Sequence, residues 1–385
     1  MQNSIKKVVS AVICGAVALT ACGCGNNTGT ALTVNGKDVR AGIYIYYQMN
    51  ALSEASTKLQ EEQPDLDMYA EDFDIKNHTI EGSPAEEWIK NKTIALCKEH
   101  VAVDTLFEKY GLSLSAEETS EIEDSVFSVW NEENMYAQYI YGVDIIGDYY
   151  ESLGIGEQSF EDCQFNEAKR HAVFEHIYGE GGEKAVSVDE LNAGIIENYA
   201  LTYQFEVDAE VASAQTYVDM IIGGESVAAA NMAYEKDAAL KEINEEMAEA
   251  EAAGEEYDGT LPEEVEVDEI TDEDVETVVE KGSESPSAEF VNEIFAMTAG
   301  ETKVLTSSAT TTSADGTEST AISYYVVKRA DIAADEEIME SYRETALHEM
   351  KEEEFNGMLK TEGDGYSVTE NSAAIKLYTI DKLEK

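Results

Sequence analysis

The chain is expected to be α+β: a long helical part, then a smaller α/β part with a small antiparallel sheet. Three observations point there. A run of capped, amphipathic helical segments extends from Ser83 to about Tyr199. At residue 200 the apolar period changes, and Leu201, Tyr203, Phe205 and Val207 alternate as in a half-buried strand. A second β-rich run, Tyr324–Asp331, follows a short helical stretch at Ala288–Phe295. A length of 385 residues accommodates two or three structural units.

The N-terminus carries an export signature. Lys6 and Lys7 precede the apolar run Val8–Ala18, which is too short to span a bilayer. Leu19-Thr20-Ala21-Cys22 then forms a lipobox. Cys14 and Cys24 fit that role less well, because Ile13 and Cys22 stand where small residues are wanted. Residues 1–21 are therefore expected to be a signal peptide, Cys22 the lipidated residue and 22–30 a tether. Each buried acyl methylene adds roughly 0.8 kcal/mol of anchoring, so several chains hold firmly. The expected location is extracytoplasmic, with the membrane contacted through the lipid.

Residues 31–198 form the expected helical domain. Ala31–Val39 reads as two short strands about an Asn35-Gly36 turn, and Tyr44–Leu59 as a helix. Ser83-Pro84-Ala85-Glu86 marks a helix start, with Ser83 as cap. Ile89, Leu96, Val103 and Tyr110 give that helix an apolar face, and Gly111 ends it. Ser115 and Glu118 open a helix expected to run to about Tyr141, followed by helices at 143–152 and 159–178. Ser187 and Glu190 cap one more.

Residues 199–331 form the expected α/β domain, with an acidic insertion at 242–285 that is helical around Ile243–Ala253. Within it, residues 242–280 hold 18 acidic side chains and no Lys or Arg. Residues 307–320 read as a loop with an Asp315-Gly316 hairpin tip. Residues 332–385 hold a last amphipathic helix, with Ile338, Tyr342, Leu347, Met350 and Phe355, and a tail.

The formal charge of −56 excludes a nucleic-acid partner, because the surface repels phosphate. Without residues 1–21 the chain loses two lysines and no acid, leaving 23 basic against 81 acidic side chains, or −58. The same charge favours basic partners or a weak, diffuse association with divalent cations. No metal centre or cofactor is expected. His171, Glu175 and His176 read as a surface helix face, and Asp268–Asp274 lacks the glycine of a calcium loop. Cys97 and Cys163 read as buried thiols, with a disulfide between them the alternative.

The stretch Ser287–Asp331 resembles the final third of a parvulin-type peptidyl-prolyl isomerase domain. Ala288-Glu289-Phe290…Phe295 matches its "EF…A.F" helix, Gly300-Glu301 its turn, and Tyr324-Tyr325-Val326-Val327 its "YHII" strand. Ser226–Tyr234 is similar to its "G.dF..lA...S" helix. The rest resembles the SurA and PrsA families of exported foldases. Val34-Asn35-Gly36 matches their opening "VNG", Gly111–Glu118 a "gl.vs.eE" junction, and Val186–Leu191 with Asn198-Tyr199 a "vsdeEl..yY" helix. The resemblance implies a helical SurA-like chaperone domain, made of the N-terminal helices and a returning C-terminal segment, with a parvulin-like domain inserted. A homodimer contact is the other use for the last helix.

In that family two histidines flank a proline pocket and lower a rotation barrier of roughly 18–20 kcal/mol. The matching positions here are Tyr203 or Gln204 for the first and Tyr325 for the second. All five histidines, His78, His100, His171, His176 and His348, lie outside 200–331, and so does every cysteine. The expectation is a degenerate isomerase domain kept for shape or binding, with no confident catalytic residue. An isomerase of altered site, with Tyr203 and Tyr325 hydrogen-bonded across the sheet, is the alternative; a cell-surface binding or structural lipoprotein is another. Unfolded exported proteins are the expected partners. Tyr44, Tyr46, Tyr47, Met49, Met135, Tyr136 and Tyr139 are the candidates for holding them, since adaptable apolar surface suits varied clients.

Overall fold

A computed structural model of the chain describes residues 29–380 and Leu383, apart from 69, 71–72, 209–210, 255, 258, 260–261, 263–264 and 313–317. The side chains of 211–212, 310–312 and 318 are likewise not described. The signal segment 1–21, Cys22, nearly all of the tether 22–30 and the Asp315-Gly316 tip lie outside the described residues. The described residues fall into two units, one up to Ala185 and again from Lys351, the other Val186–Met350.

The first unit opens with β1 (Thr30–Val34) and β2 (Lys37–Arg40), an antiparallel hairpin. Its turn residues Asn35 and Gly36 have φ of 50° and 82°, as a two-residue hairpin requires. Helix α1 (Ala41–Glu62) follows directly. Ser83 does not cap the next helix. It pairs with Ile80 in a two-residue bridge, and α2 (Ala85–Tyr110) starts behind Pro84, with the Ala85 amide donating to the His78 carbonyl at 3.0 Å. Gly111 ends α2 at φ 67°. Ser115 and Glu118 form a capping box on α3 (Ala116–Asn131).

The helix expected to continue to Tyr141 is two helices. The Asn134 side chain accepts from the Tyr136 and Ala137 amides and starts α4 (Met135–Tyr141). Then come α5 (Ile146–Leu153) and α6 (Glu157–Tyr178). One core joins Leu32, Val34 and Tyr44 to Val101, Cys97 and Cys163, the last two as free, buried thiols. Another joins Ala51, Ala55 and Leu59 to Ile75, Ile80 and Ile89.

The second unit begins with α7 (Val188–Asn198), held by the Ser187–Glu190 capping box, and β3 (Tyr199–Val207). Helices α8 (Val211–Ile222) and α9 (Val227–Ala253) follow. The two helices expected near 226–234 and 243–253 are one helix of 27 residues, capped by Ser226 and stopped by Gly254 at φ 74°. Its outer half is the start of the acidic insertion, where alanines and glutamates favour helix. Next come β4 (Glu276–Glu280), α10 (Ala288–Ala296), β5 (Thr302–Thr312) and β6 (Glu318–Arg329).

The sheet is antiparallel throughout, in the order β4-β3-β6-β5. The expected loop 307–320 is strand on both sides of the tip. Thr302 to Thr312 pair without a break against Lys328 to Glu318. Threonine suits a pleated surface.

Residues Glu336–Ser341 make a short helix, and α11 (Arg343–Asp364) carries the chain out of the second unit and into the first. In the second unit the Tyr199 hydroxyl donates to Glu349, and its ring lies 4.7 Å from that of Tyr342. In the first unit Phe355 is fully buried, 5.3 Å from the Phe174 ring. Strand β7 (Val368–Glu370) then pairs with β1, giving the order β2-β1-β7. Lys90 and Glu370 close the join at 2.8 Å. No helix among the described residues is long and apolar enough to cross a membrane.

Candidate functional site

Two places carry the residues singled out from the sequence. The first is the sheet of the second unit. Because strand side chains alternate, the register of β3 and β6 assigns every residue to a face. Tyr203 pairs with Lys328, Phe205 with Val326 and Val207 with Tyr324. These lie on the α8–α9 side, where Phe205, Val207 and Val326 pack with Tyr217 and Val218. Gln204 pairs with Val327 and Glu206 with Tyr325 on the opposite side, under α10. There Tyr325 packs with Phe290, Val291, Ile294, Leu305 and Val327.

Tyr203 and Tyr325 therefore do not meet, and the bond between them considered above is ruled out by the pleat. Gln204 is the residue of that pair of positions that shares a face with Tyr325. The Tyr325 ring stands 4.9 Å from Phe290, edge to face. Its hydroxyl donates to Glu206 Oε2 at 3.3 Å. Burial, and then the Glu206 carboxylate, push the Tyr325 hydroxyl above its ordinary range. Burial followed by Glu276 does the same to Tyr203. Both phenols are thus neutral at physiological pH and act as donors, not bases.

Gln204 Oε1 is buried and accepts no hydrogen bond among the described residues. At one end of this face Arg329 donates to the Ile294 carbonyl at 2.6 Å and lies over the Phe295 ring. Desolvation draws its guanidinium below the usual value. Glu206 and Arg329 were not singled out from the sequence, and Phe290 was named only as part of the resembling helix. Period-two counting would have found Glu206 and Arg329, once Tyr325 had been given a face. The face carries hydrogen-bond donors and a ring, and Gln204 Oε1 is closed off from solvent.

The second place is the helical unit. Of the seven residues expected to hold clients, four pack into its interior. Tyr44 is buried among Leu32, Val34 and Val101. Tyr46 meets Tyr47 and Phe160 at 5.7 and 6.1 Å. The Tyr47 hydroxyl is 2.9 Å from His100 Nδ1. Met49 packs with Ile45, Ile155 and Trp130. They stand around α1, Tyr44 and Tyr47 toward α2 and Tyr46 and Met49 toward Phe160, Ile155 and Trp130, so the helix is packed on more than one side.

The other three are exposed on α4. Met135 is 89% exposed, Tyr136 75% and Tyr139 90%. Ile140 and Tyr141 beside them, and Phe127 on α3, are exposed as well. Met135 with Tyr139 and Tyr136 with Ile140 stand one turn apart, so four apolar side chains share one side of a seven-residue helix. Ala137 on the other side is the helix's buried residue. Tyr141 stacks on Tyr149 at 4.1 Å, which ties this turn to α5. Phe127 and Ile140 were missed in the sequence, although the four-residue spacing from Tyr136 to Ile140 signals a shared face.

No family model matches the chain, and neither does any curated protein. Among solved structures the chain is similar to three crystal structures of the foldase PrsA. That from Lactococcus lactis shares 14% identity over 91% of this chain and 99% of its own, with a TM-score of 0.34. That from Streptococcus pneumoniae shares 13% over 78% and 97%, with a TM-score of 0.32. That from Bacillus subtilis shares 9% over 94% and 93%, with a TM-score of 0.23. Likenesses at this level fix neither an activity nor a partner.

Proposed function

We propose that the chain is a lipid-anchored, extracytoplasmic chaperone that holds apolar segments of unfolded exported polypeptides. The observation that carries this reading is the exposed apolar side of α4, formed by Met135, Tyr136, Tyr139 and Ile140. Exposed apolar clusters of this kind mark contact surfaces, and a chain of charge −56 keeps the resulting complexes soluble. Methionine and tyrosine accommodate clients of varied shape at low conformational cost. The lipobox at Cys22 supplies the anchor. The Gln204–Tyr325 face is read as retained for shape or binding.

The test is light scattering from an unfolding exported protein, with and without the chain at stoichiometric ratio. The chain slows aggregation, and the double variant Tyr136→Ser, Tyr139→Ser loses most of that effect. Its melting temperature stays the same, because both side chains are exposed. An unchanged effect in the double variant, or none in the parent, would sink the reading. A protease-coupled assay with a prolyl peptide adds the competing outcome: turnover abolished by Tyr325→Ala makes the chain an isomerase.

A further inference from the structure

The apolar side of α4 stands in a stretch without basic residues. From Tyr110 to Ala168 the chain has 14 Asp and Glu and no Lys, Arg or His. Elsewhere in the first unit the cations are taken up by carboxylates. Lys37 meets Glu108, Lys58 meets Glu81, Lys92 meets Glu54, Lys169 meets Asp104 and Lys184 meets Glu354, each at 3.0 Å or less.

Three carboxylates border the apolar side itself. Glu132 and Glu133 directly precede Asn134, the cap of α4, and both are exposed. Asp144, also exposed, lies beside the first turn, where its carbonyl accepts from the Asn134 amide at 2.8 Å. Its side chain accepts from Gln138 Nε2 at 3.2 Å, and Gln138 stands next to Met135 around the helix. The Ser128 hydroxyl donates to Glu132 at 2.7 Å. Neutral donors such as these leave the negative charge in place, so the rim of the apolar side is anionic.

This combination narrows the occupant. An apolar surface alone would suit a second copy, a bilayer or a client. A second copy would bring the same carboxylates against these. A bilayer surface is neutral or anionic and gains nothing from them. An apolar polypeptide segment with Lys or Arg beside it meets both parts: its apolar residues cover Met135, Tyr136, Tyr139 and Ile140, and its cations reach the rim. The long stems of Lys and Arg lie along apolar surface while the charge extends beyond it. We propose that α4 takes apolar segments of unfolded polypeptide that carry Lys or Arg at their ends, in preference to neutral or acidic ones. The proposal rests on the polypeptide-binding reading above and adds the class of segment selected.

Three labelled octapeptides test it. They share the centre Leu-Phe-Leu-Phe and carry two Lys, two Ser or two Glu at each end. Their affinities for the full chain are read by fluorescence anisotropy at about 0.15 M salt, where exposed charges more than roughly 8 Å away are largely screened. The Lys peptide is expected to bind about 10-fold tighter than the Ser peptide, as for a few exposed ion pairs, and the Glu peptide weaker still. In the triple variant Glu132→Gln, Glu133→Gln, Asp144→Asn the Lys peptide falls to the affinity of the Ser peptide, which does not itself change. The double variant Tyr136→Ser, Tyr139→Ser weakens all three. Equal binding of the three peptides by the unaltered chain overturns the proposal, whatever the stability of the variants. A Lys preference that survives in the triple variant also overturns it, because the preference then belongs to the overall charge and not to the rim. So does a Lys peptide indifferent to the tyrosine changes. Suppressed aggregation without a Lys preference removes this proposal and keeps the chaperone reading. A rim-dependent preference without suppression keeps the segment site and removes the chaperone reading, and the absence of both effects removes both.

Discussion

Tyr203 and Tyr325 sit on adjacent antiparallel strands and point to opposite faces of the same sheet. Energetic independence follows. Tyr203→Phe and Tyr325→Phe are expected to add within about 0.5 kcal/mol in urea unfolding, as for sites that share no partner. A coupling above about 1 kcal/mol would show that the register is wrong. Tyr325→Ala costs more than Tyr325→Phe, about 1–3 kcal/mol, because it removes the ring on Phe290 as well as the bond to Glu206.

His100 links the first unit to pH. Its ring is buried, bonded to Tyr47, with Asp104 at 3.8 Å and Lys169 bound to the same carboxylate. Burial pulls its pKa down from 6.5 to about 4, and Asp104 opposes this only in part. Below pH 6.5 the unfolded chain takes a proton that the folded chain refuses. Stability from this group is therefore present above pH 6.5, falls as pH drops toward 4, and is flat below. The loss is at most about 3 kcal/mol. His100→Gln keeps a polar partner for Tyr47 and lacks the titration. The stability difference between parent and variant, measured by urea unfolding, should narrow in the parent's disfavour between pH 6.5 and 4. A difference that is constant across that range would refute it.

Phe355 anchors the returning C-terminal segment in the first unit. It is fully buried against Phe174 and Tyr178, with Arg170 over its ring. Phe355→Ala is expected to cost about 3–5 kcal/mol, the range for an aromatic removed from a core. Calorimetry should show the transition of the first unit lowered and that of the second unmoved. Equal lowering of both would contradict the division into two units.

Cys97 and Cys163 are free thiols in one core, and burial raises both pKa values above the ordinary thiol range. Neither is expected to react with iodoacetamide in the native chain over a time in which an exposed thiol is fully alkylated. In urea both react. Peptide mapping after native labelling decides the matter, and rapid modification of either residue would place it outside the core.

The local signals were readable because they act over three or four residues. The Ser115 and Ser187 capping boxes, the Gly111 stop and the Asn35-Gly36 turn all stand where the residues place them. Asn134 was not readable in the same way. Asparagine tolerates a helix interior and favours a cap, and local sequence does not choose between them. The Ser/Thr stretch at 307–312 looked like a loop by composition alone, because its partner strand lies beyond a tip and pairing is invisible to a local count.

The candidate sites divide along the same line. Alternation in β3 shows that Tyr203 and Phe205 share a face, but not which face Tyr325 takes; the pairing of Glu206 with Tyr325 settles that. Tyrosines on α1 and α4 look alike in sequence, and contact with β1, α2 and α6 buries the first set while α4 leaves the second exposed.

The sequence by itself determined the α+β class, the charge and the helix ends at Ser115, Ser187 and Gly111. Caps, periods and charge are properties of neighbouring residues, so they can be read along the chain. Only the tertiary structure decided that Gln204 faces with Tyr325, that Tyr44 is core while Tyr139 is surface, and that Gln48 Nε2 donates to the Tyr378 carbonyl, 330 residues away. Burial and hydrogen-bond satisfaction are sums over partners brought together by folding, and no window of sequence contains them.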